Sequence, residues 1–303
     1  MKILNLLSIS LLTFSLLNCS KAEQTNLNVE KFEENQVVEI PDIHKELYGI
    51  YTGEFSGSYK VSTPDEEYDD YEFKRLSLKI NRITKDSVWG QSIVNGNQRP
   101  FRGVFNESTK RFVLDEPGSD KYDGRFEVTV SADSLSGKWV AYNKTKVKAP
   151  TKTVKLIKKD FVYNPNFMLD ENATDLVDWS NSRETKSYYI DPESGKKESY
   201  SNSENRFSSD AVFKINGSTK ALTEKELKNL RKLDLEIIKN AIYARHGYSF
   251  KKETFRNFFE QTDWYIPVSN NVEDDLTPME KTNIEMLSRF IQYAEDKYDS
   301  FGR

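Results

Sequence analysis

Residues 240–250 read NAIYARHGYSF, and they include His246, one of only two histidines in the chain. Gly247 is the residue type expected directly after a helix C-terminus. The apolar residues that precede it recur at helical spacing, at positions Leu235, Ile238, Ala241 and Ile242. The stretch therefore predicts the end of an amphipathic helix.

The two sides of this predicted helix differ in chemistry. At about 100° per residue, Arg245 lies in the middle of the apolar side. Lys239, Asn240 and Tyr243 lie on the other side, and His246 lies near the border, toward solvent. We therefore expect Arg245 to be partly buried and to need a partner, while the polar side chains beside it stay accessible.

The stretch and the residues after it resemble the YARHG domain, a small extracytoplasmic module of bacterial envelope proteins. The matching residues are Asn240, Tyr243, Ala244, Arg245, His246, Gly247, Tyr248, Phe250, Phe258, Phe259, Trp264, Tyr265, Pro267, Leu276, Glu280, Asn283 and Ile284. Ala241 departs from the pattern, because the family usually has an acidic residue there. The resemblance covers the C-terminal part of the chain and implies a location in the cell envelope, with cell-wall binding as the suggested role.

The composition of the chain is typical of a globular protein of about two domains. Of its 303 residues, 37% are hydrophobic and 30% are charged, and the net charge is −4. A protein that binds nucleic acid would normally carry a basic excess instead. We therefore predict an α+β multi-domain protein with no nucleic-acid partner.

The N-terminus predicts a targeting segment. Lys2 begins it, and residues 3–17 form an apolar run that is too short and too polar for a membrane span. The run ends in Leu-Leu-Asn-Cys, which resembles the lipobox of bacterial lipoproteins, where Cys19 becomes the lipidated first residue. Cys19 is the single cysteine, so no intramolecular disulfide can form.

Residues 1–18 are thus predicted to be a lipoprotein signal peptide, and the polar residues 19–43 a tether. Several acyl chains on Cys19 would anchor the protein durably in a membrane. Ser20 resembles the pattern of outer-membrane lipoproteins, which implies an outer-membrane location facing the periplasm or the cell surface. The alternative is an ordinary secretory signal with an incidental cysteine.

Residues 44–160 alternate between apolar and polar side chains, which is the period of half-buried strands. Tyr51 and Phe55, for example, alternate with polar residues. Asn95-Gly96 between two such runs is the strongest short-range signal of a hairpin. About eight short strands of this kind predict an antiparallel meander, closed as a barrel or folded as a sandwich.

A small barrel could carry a ligand, and Gly137-Lys138-Trp139 loosely resembles lipocalin-like barrels. Eight strands enclose an interior that side chains fill or that holds one small ligand. The abundance of Phe and Tyr favours a filled interior. A lipocalin-like carrier of a small apolar ligand is the alternative.

A basic stretch ends this region, because residues 138–159 hold eight lysines. These lysines could contact anionic envelope polymers or lipid headgroups. Their alternation along a strand favours an ordinary solvated face.

Residues 161–217 are rich in Asn, Ser, Tyr and Asp, and they predict an irregular linking segment with weak strands at 187–190 and 211–215. Residues 218–303 form the predicted helical module, which we expect to fold independently of the strand-rich part. Thr223 and Glu226 make a capping box at its first helix. The predicted helices cover residues 223–230, 234–246, 252–260 and 277–296.

The sequence predicts neither a metal nor a cofactor, and it leaves any catalytic residue unknown. Zinc is disfavoured because His44 and His246 are the only histidines and Cys19 is committed to lipid. The sequence contains no Gly-rich phosphate loop, nucleophile elbow or HExxH motif. A carboxylate pair for glycoside hydrolysis stays open, since 48 acidic residues make chance pairs inevitable.

Two main hypotheses remain for the Tyr-Ala-Arg-His-Gly stretch. In the structural hypothesis, Arg245 pairs with a buried carboxylate and Gly247 caps the helix. Glu280 is the best candidate for the partner, with Asp263 and Glu285 as substitutes.

In the binding hypothesis, a shallow site at the helix end takes carbohydrate or peptide. Its residues would be Asn240, Tyr243, His246, Tyr248 and the exposed rings of Trp264 and Tyr265. We therefore predict a lipid-anchored, non-catalytic binding protein of the envelope, with the membrane and a cell-wall polymer or envelope protein as partners. An envelope hydrolase that uses His246 or carboxylates is the alternative.

Overall fold

A computed structural model of the protein describes residues 40–295, and these residues belong to one compact unit. The predicted signal peptide, Cys19 and nearly all of the predicted tether lie outside the described residues. Lipidation at Cys19 therefore stays a prediction.

Eight antiparallel strands form a closed barrel. They are β1 (Gly49–Ser62), β2 (Glu67–Ile83), β3 (Val88–Val94), β4 (Asn97–Asn106), β5 (Arg111–Asp115), β6 (Gly124–Ser131), β7 (Ser134–Ala141) and β8 (Thr151–Lys159). Each strand pairs with the next one along the chain, and β8 pairs with β1 to close the sheet. Of the two predicted architectures, the barrel is thus confirmed and the sandwich is wrong.

Alternation of side chains gives the barrel its core. In β6, Phe126, Val128 and Val130 are buried, whereas Arg125 and Thr129 face solvent. Full burial of an apolar side chain of this size contributes about 1.5–3 kcal/mol. The inward residues of the eight strands together form one hydrophobic core, which explains why a pattern of period two was sufficient to predict the strands.

The predicted hairpin at Asn95-Gly96 is confirmed, and it also contacts the C-terminal helices. The φ angles of Asn95 and Gly96 are 53° and 72°. Two positive φ angles are what a type I′ turn between twisted strands requires. The Gly96 N–H donates to Ser249 Oγ at 3.1 Å. A Cβ at Gly96 would lie only 2.4 Å from the Lys251 side chain, so glycine permits this close approach.

The segment after the barrel contains more regular structure than the sequence predicts. β9 (Val177–Ile190) and β10 (Lys197–Phe207) form a long two-stranded hairpin, whereas only residues 187–190 of it were predicted to form a strand. The strand predicted at 211–215 is wrong, because residues Asp210–Phe213 form a 3₁₀ helix. Ser209 caps that helix, with its side chain accepting from the Ala211 N–H.

Four α-helices follow in the order that the sequence predicts, with ends within three residues of the predicted bounds: α1 (Glu224–Leu227), α2 (Lys232–Arg245), α3 (Glu253–Phe259) and α4 (Pro278–Tyr293). At α1, the Thr223 N–H donates to the Glu226 carboxylate at 2.9 Å, as the predicted capping box requires. Within residues 40–295, no helix combines the length and the apolar character that a membrane crossing requires.

Candidate functional site

The Tyr-Ala-Arg-His-Gly stretch ends helix α2 and turns the chain sharply. Gly247 has a φ of +74°, a conformation that favours glycine. Its carbonyl accepts hydrogen bonds from the N–H groups of Val268 at 2.8 Å and Ser269 at 3.2 Å. A Cβ at Gly247 would lie 2.5 Å from Val268 Cγ2 and 2.9 Å from the Ile266 carbonyl oxygen. Gly247 is therefore needed for the backbone conformation and the close packing at the end of α2.

Arg245 is buried in the module, with 2% of its surface exposed. Its Nε donates to the Phe167 carbonyl at 2.7 Å, and its Nη1 donates to Ser218 Oγ at 3.2 Å. Burial lowers the pKa of this guanidinium to about 10. Arg245 is thus held by neutral acceptors from residues that precede the helices.

The predicted ion pair between Arg245 and Glu280 is wrong. Among the described residues, no carboxylate lies within 4.0 Å of the Arg245 guanidinium nitrogens. The reason is that Glu280 already has closer partners: His246 Nε2 lies 2.9 Å from its Oε2, and Thr277 donates to the same oxygen through its backbone N–H at 2.9 Å. Glu280 still favours the charged form of Arg245 through its electrostatic field.

His246 is buried, which corrects the prediction that it faces solvent. Only 5% of the residue is exposed, and the Tyr163 ring stacks on the imidazole with 4.3 Å between the ring centroids. The Tyr163 hydroxyl also donates to Glu280 Oε1 at 3.1 Å. The periodicity of α2 alone could not reveal this burial, because Tyr163 and the start of α4 cover the imidazole.

Glu280 is the centre of this buried polar cluster, with 0% of its surface exposed. Burial raises its pKa, but hydrogen bonds from His246 and Ser218 and from the Thr277 backbone lower it further, to about 2. The carboxylate therefore stays ionised at neutral pH. An ionised buried carboxylate that is fully hydrogen-bonded is a structural element of the module.

Residues 161–169, here called the strap, cover the motif and were predicted only as part of an irregular linker. The Phe167 ring stacks on Trp264 at 5.3 Å, and Trp264 Nε1 donates to the Met168 carbonyl at 2.8 Å. The strap also supplies Tyr163 to the polar cluster. Its sequence, FVYNPNFML, is more aromatic and apolar than the rest of the predicted linker, and that contrast is the signal that could have revealed its role.

The predicted binding residues do not form an exposed aromatic platform. Tyr265 is 1% exposed, and its hydroxyl donates to the Tyr248 carbonyl at 2.7 Å, so it belongs to the core. Trp264 is half-buried beneath the strap. Tyr243 and Tyr248 are half-buried neighbours with ring centroids 5.8 Å apart, and Asn240, also half-buried, donates to the Glu236 carbonyl at 2.7 Å.

A second candidate site is a cavity of about 780 Å³ at one mouth of the barrel. The connections between β1 and β2, β3 and β4, β5 and β6, and β7 and β8 all lie at this end, because successive strands alternate in direction. Phe55, Phe126 and Trp139 are nearly buried inside the barrel and form the floor of the cavity, with the Phe55 and Trp139 ring centroids 5.5 Å apart.

Glu116 lies beside this aromatic floor and is satisfied by the barrel itself. It is 5% exposed, and its carboxylate accepts hydrogen bonds from Ser92 Oγ, from the Gly124 N–H at 2.8 Å and from Trp139 Nε1 at 3.1 Å. Burial raises the pKa of Glu116, and the hydrogen bonds from Ser92 and Trp139 oppose that rise. The acid therefore orients Trp139 in the floor.

The helical module forms one wall of the cavity, through residues at and before α3. Lys251 and Arg256 line it, and Arg256 is only 7% exposed. One guanidinium nitrogen of Arg256 donates to the Lys251 carbonyl, whereas its buried Nε has no hydrogen-bond partner in the described part of the chain. Residues of the barrel and of the module thus meet in one site.

Arg75 on β2 ties the two parts together next to this wall. Its Nη1 donates to the carbonyls of Thr262 at 3.0 Å and Tyr265 at 2.8 Å. Its backbone N–H donates to Glu260 Oε2 at 3.2 Å, and burial raises the pKa of Glu260 to about 7. These contacts join the two parts, and the expectation that the barrel and the module fold independently stays a prediction.

Residues 40–295 contain no group of three or more His, Cys, Asp or Glu side chains placed to hold a metal ion. The two histidines lie in different environments. His44 pairs with the exposed Glu46 at 3.1 Å, whereas His246 belongs to the buried cluster around Glu280.

A closed eight-stranded barrel that shares a cavity with a small helical module defines a two-part globular protein. The helical part has a known family: residues 212–292 match the YARHG domain, so the chain carries a C-terminal YARHG domain, as the resemblance predicted. This domain is typical of extracellular or envelope proteins. The strap lies outside the matched residues. No curated protein and no solved structure matches the chain.

Proposed function

We propose that this protein is a non-catalytic binding protein of the cell envelope, anchored through lipid on Cys19, that takes a small molecule into the cavity at the barrel mouth. The observation that carries the proposal is the cavity itself, about 780 Å³ in volume with walls from the barrel and from the YARHG domain. Sites for small molecules have volumes of roughly 300–1,000 Å³ and combine an apolar lining with a few polar groups.

The interior of the barrel supports this proposal, because only part of it is filled by side chains. Leu78, Phe112 and Leu114 are completely buried and belong to its packed core. Phe55 and Trp139, in contrast, border the cavity. Side chains therefore fill only part of the barrel interior, although the abundance of Phe and Tyr favoured a filled one. The open mouth has room for one small ligand.

The hydrolase alternative is less well supported. A general acid or base must reach the proton that it transfers. His246 is 5% exposed, is covered by the Tyr163 ring and is hydrogen-bonded to Glu280. Its environment suits the stability of the YARHG domain better than acid–base chemistry.

Dye binding tests the proposal. N-phenyl-1-naphthylamine and 8-anilino-1-naphthalenesulfonate share one ring system and fluoresce when they enter an apolar site. We expect at least one of them to bind the mature protein. Val147→Trp, which adds bulk at the cavity lining, should abolish that binding.

Val104→Trp is the matched control, because Val104 is 52% exposed and lies outside the cavity lining. It should leave dye binding unchanged, and both variants should retain the cooperative melting of the parent. Failure of both dyes to bind, or equal binding to the two Trp variants, would show that the cavity is not a ligand site.

The anchor is tested separately. We expect radioactive palmitate to label the parent protein in its bacterial host and to leave a Cys19→Ala variant unlabelled. Label that persists in the variant would contradict lipidation at Cys19.

A second candidate function is binding of a cell-wall glycan or peptide on the YARHG domain. The adjacent, half-buried rings of Tyr243 and Tyr248 favour it, because aromatic faces with hydroxyl groups suit such ligands. Purified sacculi should then retain the soluble mature protein but not Tyr243→Ala. Tyr293→Ala is the control, since Tyr293 is 78% exposed and distant in sequence from the motif. Equal retention of the two variants would remove this candidate.

A further inference from the structure

The cavity at the barrel mouth is strongly cationic, although the chain as a whole is acidic. Its lining includes seven Lys or Arg residues and three Glu residues. The net charge of the whole chain is −4. The concentration of positive charge around an apolar floor therefore belongs to this site and not to the general surface.

Part of this charge is neutralised within the protein. Lys152 pairs with Glu72, Lys74 lies 3.4 Å from Glu253, and Arg99 Nε lies 3.0 Å from the buried Asp123. All three carboxylates belong to the barrel or to α3, so these three cations are held by the protein.

The remaining cations have no carboxylate within ion-pair distance in the described part of the chain. They are Lys146, Lys148, Lys251 and Arg256. Lys146 and Lys148 lie on the connection between β7 and β8, whereas Lys251 and Arg256 lie on the YARHG wall. Unpaired cations from two different parts of the fold thus surround one opening.

Arg256 adds a second and independent observation. It is 7% exposed, and its Nε has no hydrogen-bond partner among the described residues. A buried polar group without a partner costs about 1–3 kcal/mol, and more when it is charged. A ligand oxygen that accepts from Arg256 Nε would recover this energy.

The interior end of the cavity has the opposite character. Phe55, Phe126 and Trp139 offer ring faces, and the one acid beside them, Glu116, already accepts three hydrogen bonds from the barrel. A ligand group that enters here must be apolar, because little hydrogen-bonding capacity remains for it.

On the basis of the ligand site proposed above, we infer that the cavity takes an amphipathic anion, with an aromatic or acyl body against Phe126 and Trp139 and an acidic group between Lys148, Lys251 and Arg256. The apolar body gains burial against the rings. The acidic group gains charge-assisted hydrogen bonds from the unpaired cations. The ligand would also join the barrel to the YARHG domain, because its acidic end contacts both.

The two dyes named above test this inference, because they differ by a single sulfonate. We expect the sulfonate dye to bind with a Kd at least about tenfold lower than that of the neutral dye. Its affinity should fall as salt is raised from 0.1 M to 1 M, where the Debye length shrinks from about 10 Å to about 3 Å. The affinity of the neutral dye should change little.

Charge-neutral variants locate the effect. The pair Lys148→Gln with Lys251→Gln should weaken binding of the sulfonate dye at least tenfold and leave the neutral dye unaffected. Both lysines are exposed, so the fold should tolerate the change. Lys144→Gln, on the same connection but outside the cavity lining, is the control and should have no effect.

The outcomes separate the inference from the proposed function. The anion preference would be overturned if the two dyes bind with equal affinity, or if the Lys148→Gln and Lys251→Gln changes leave the affinity for the sulfonate dye unchanged. In either case the proposed ligand site itself would still be supported. If neither dye binds, the ligand site fails and the inference fails with it. Arg256→Gln, tested after its melting temperature is checked, should weaken binding of the sulfonate dye and leave binding of the neutral dye unchanged.

Discussion

The barrel and the YARHG domain bury their polar groups in different ways. The barrel core consists mainly of apolar side chains with a few buried hydroxyls, and its buried carboxylates, Glu116 and Asp123, lie toward the open mouth. The YARHG domain buries Arg245, His246 and Glu280 at its centre, each with 5% exposure or less. The centre of the barrel therefore depends mainly on volume and alternation, whereas the centre of the YARHG domain also depends on specific hydrogen bonds of charged side chains.

These hydrogen bonds join segments that lie far apart along the chain. Asn283 on α4 donates to the carbonyls of Gly217 and Lys220, each at 2.8 Å. Arg245 on α2 donates to the strap at Phe167. Buried polar groups that lose one partner are costly, since the other partner is left unpaired. The YARHG domain should therefore tolerate substitution less well than the barrel does.

The largest effect is expected when methionine replaces a fully buried residue in each region. Arg245→Met keeps apolar volume but leaves the Phe167 carbonyl and Ser218 Oγ without their donor. At about 1–3 kcal/mol for each unpaired group, the free energy of unfolding should fall by about 2–6 kcal/mol. Leu114→Met in the barrel should cost less than about 1.5 kcal/mol, because it conserves volume and polarity.

Urea unfolding of the mature protein measures both changes. Equal losses for Arg245→Met and Leu114→Met would mean that volume alone holds the YARHG domain, and the contrast between the regions would be wrong. A stable Arg245→Met protein that no longer binds sacculi would place Arg245 in a ligand site instead.

A smaller effect is expected at the two histidines. His246→Ala removes a hydrogen bond to the buried Glu280 carboxylate, and a hydrogen bond to a charged group contributes about 1.5–3 kcal/mol. His44→Ala, in a surface pair with Glu46, should cost less than about 1 kcal/mol. Melting curves measure the stability of the two variants. A His246→Ala protein as stable as His44→Ala would show that the hydrogen bonds from Tyr163 and Thr277 are sufficient to stabilise the buried Glu280 carboxylate.

The same contrast explains what the sequence could predict. Strands such as β6 were predictable because each inward side chain, for example Phe126 or Val128, is apolar and every second residue repeats the pattern. The end of α2 was predictable because Gly247 has a local conformational role. In each case the information lies within a few residues of the element that it specifies.

The partners in the polar cluster were not predictable in this way. Tyr163 reaches His246 from a segment whose sequence has no strong period, and only the folded chain brings the two together. The choice of His246 over Arg245 as the partner of Glu280 depends on how α2, α4 and the strap pack together, because neutral acceptors, one of them in the strap, hold Arg245 instead. The cavity joins Trp139 of β7 to Arg256 of α3, so its existence depends on how the barrel and the helices pack.

A pH-dependent effect of intermediate size is expected at the junction between the two regions. Burial raises the pKa of Glu260 from 4.5 to about 7, although Arg256, Lys74 and Arg75 oppose the rise. Because this pKa is higher in the folded than in the unfolded protein, the folded state binds the proton more tightly. The stability contributed by Glu260 is therefore complete below pH 4.5 and is lost as the pH rises through about 7.

Glu260→Gln removes this titration, so its melting temperature should depend less on pH between 4.5 and 7 than that of the parent. Glu253→Gln, at the exposed first residue of α3, the helix that ends directly before Glu260, should keep the parent profile. Below pH 4.5 the sign reverses at Glu280, whose pKa is lowered to about 2, so that stability is lost as the pH falls. An unchanged profile in Glu260→Gln would show that the junction does not control this pH range.

The smallest effect is expected at the surface of the YARHG domain, where the polar cluster ends. Tyr243 is half-buried, and burial and Glu273 raise the pKa of its hydroxyl. Tyr243→Phe keeps the ring beside Tyr248 and removes only the hydroxyl. Because that hydroxyl lies outside the cluster around Glu280 and interacts with the exposed Glu273, the free energy of unfolding should fall by at most about 1 kcal/mol. Urea unfolding measures this change, with Tyr293→Phe as an exposed control. A loss above about 1.5 kcal/mol would extend the polar cluster to the surface, and Tyr243 would then be a structural residue with no separate role in binding glycan or peptide.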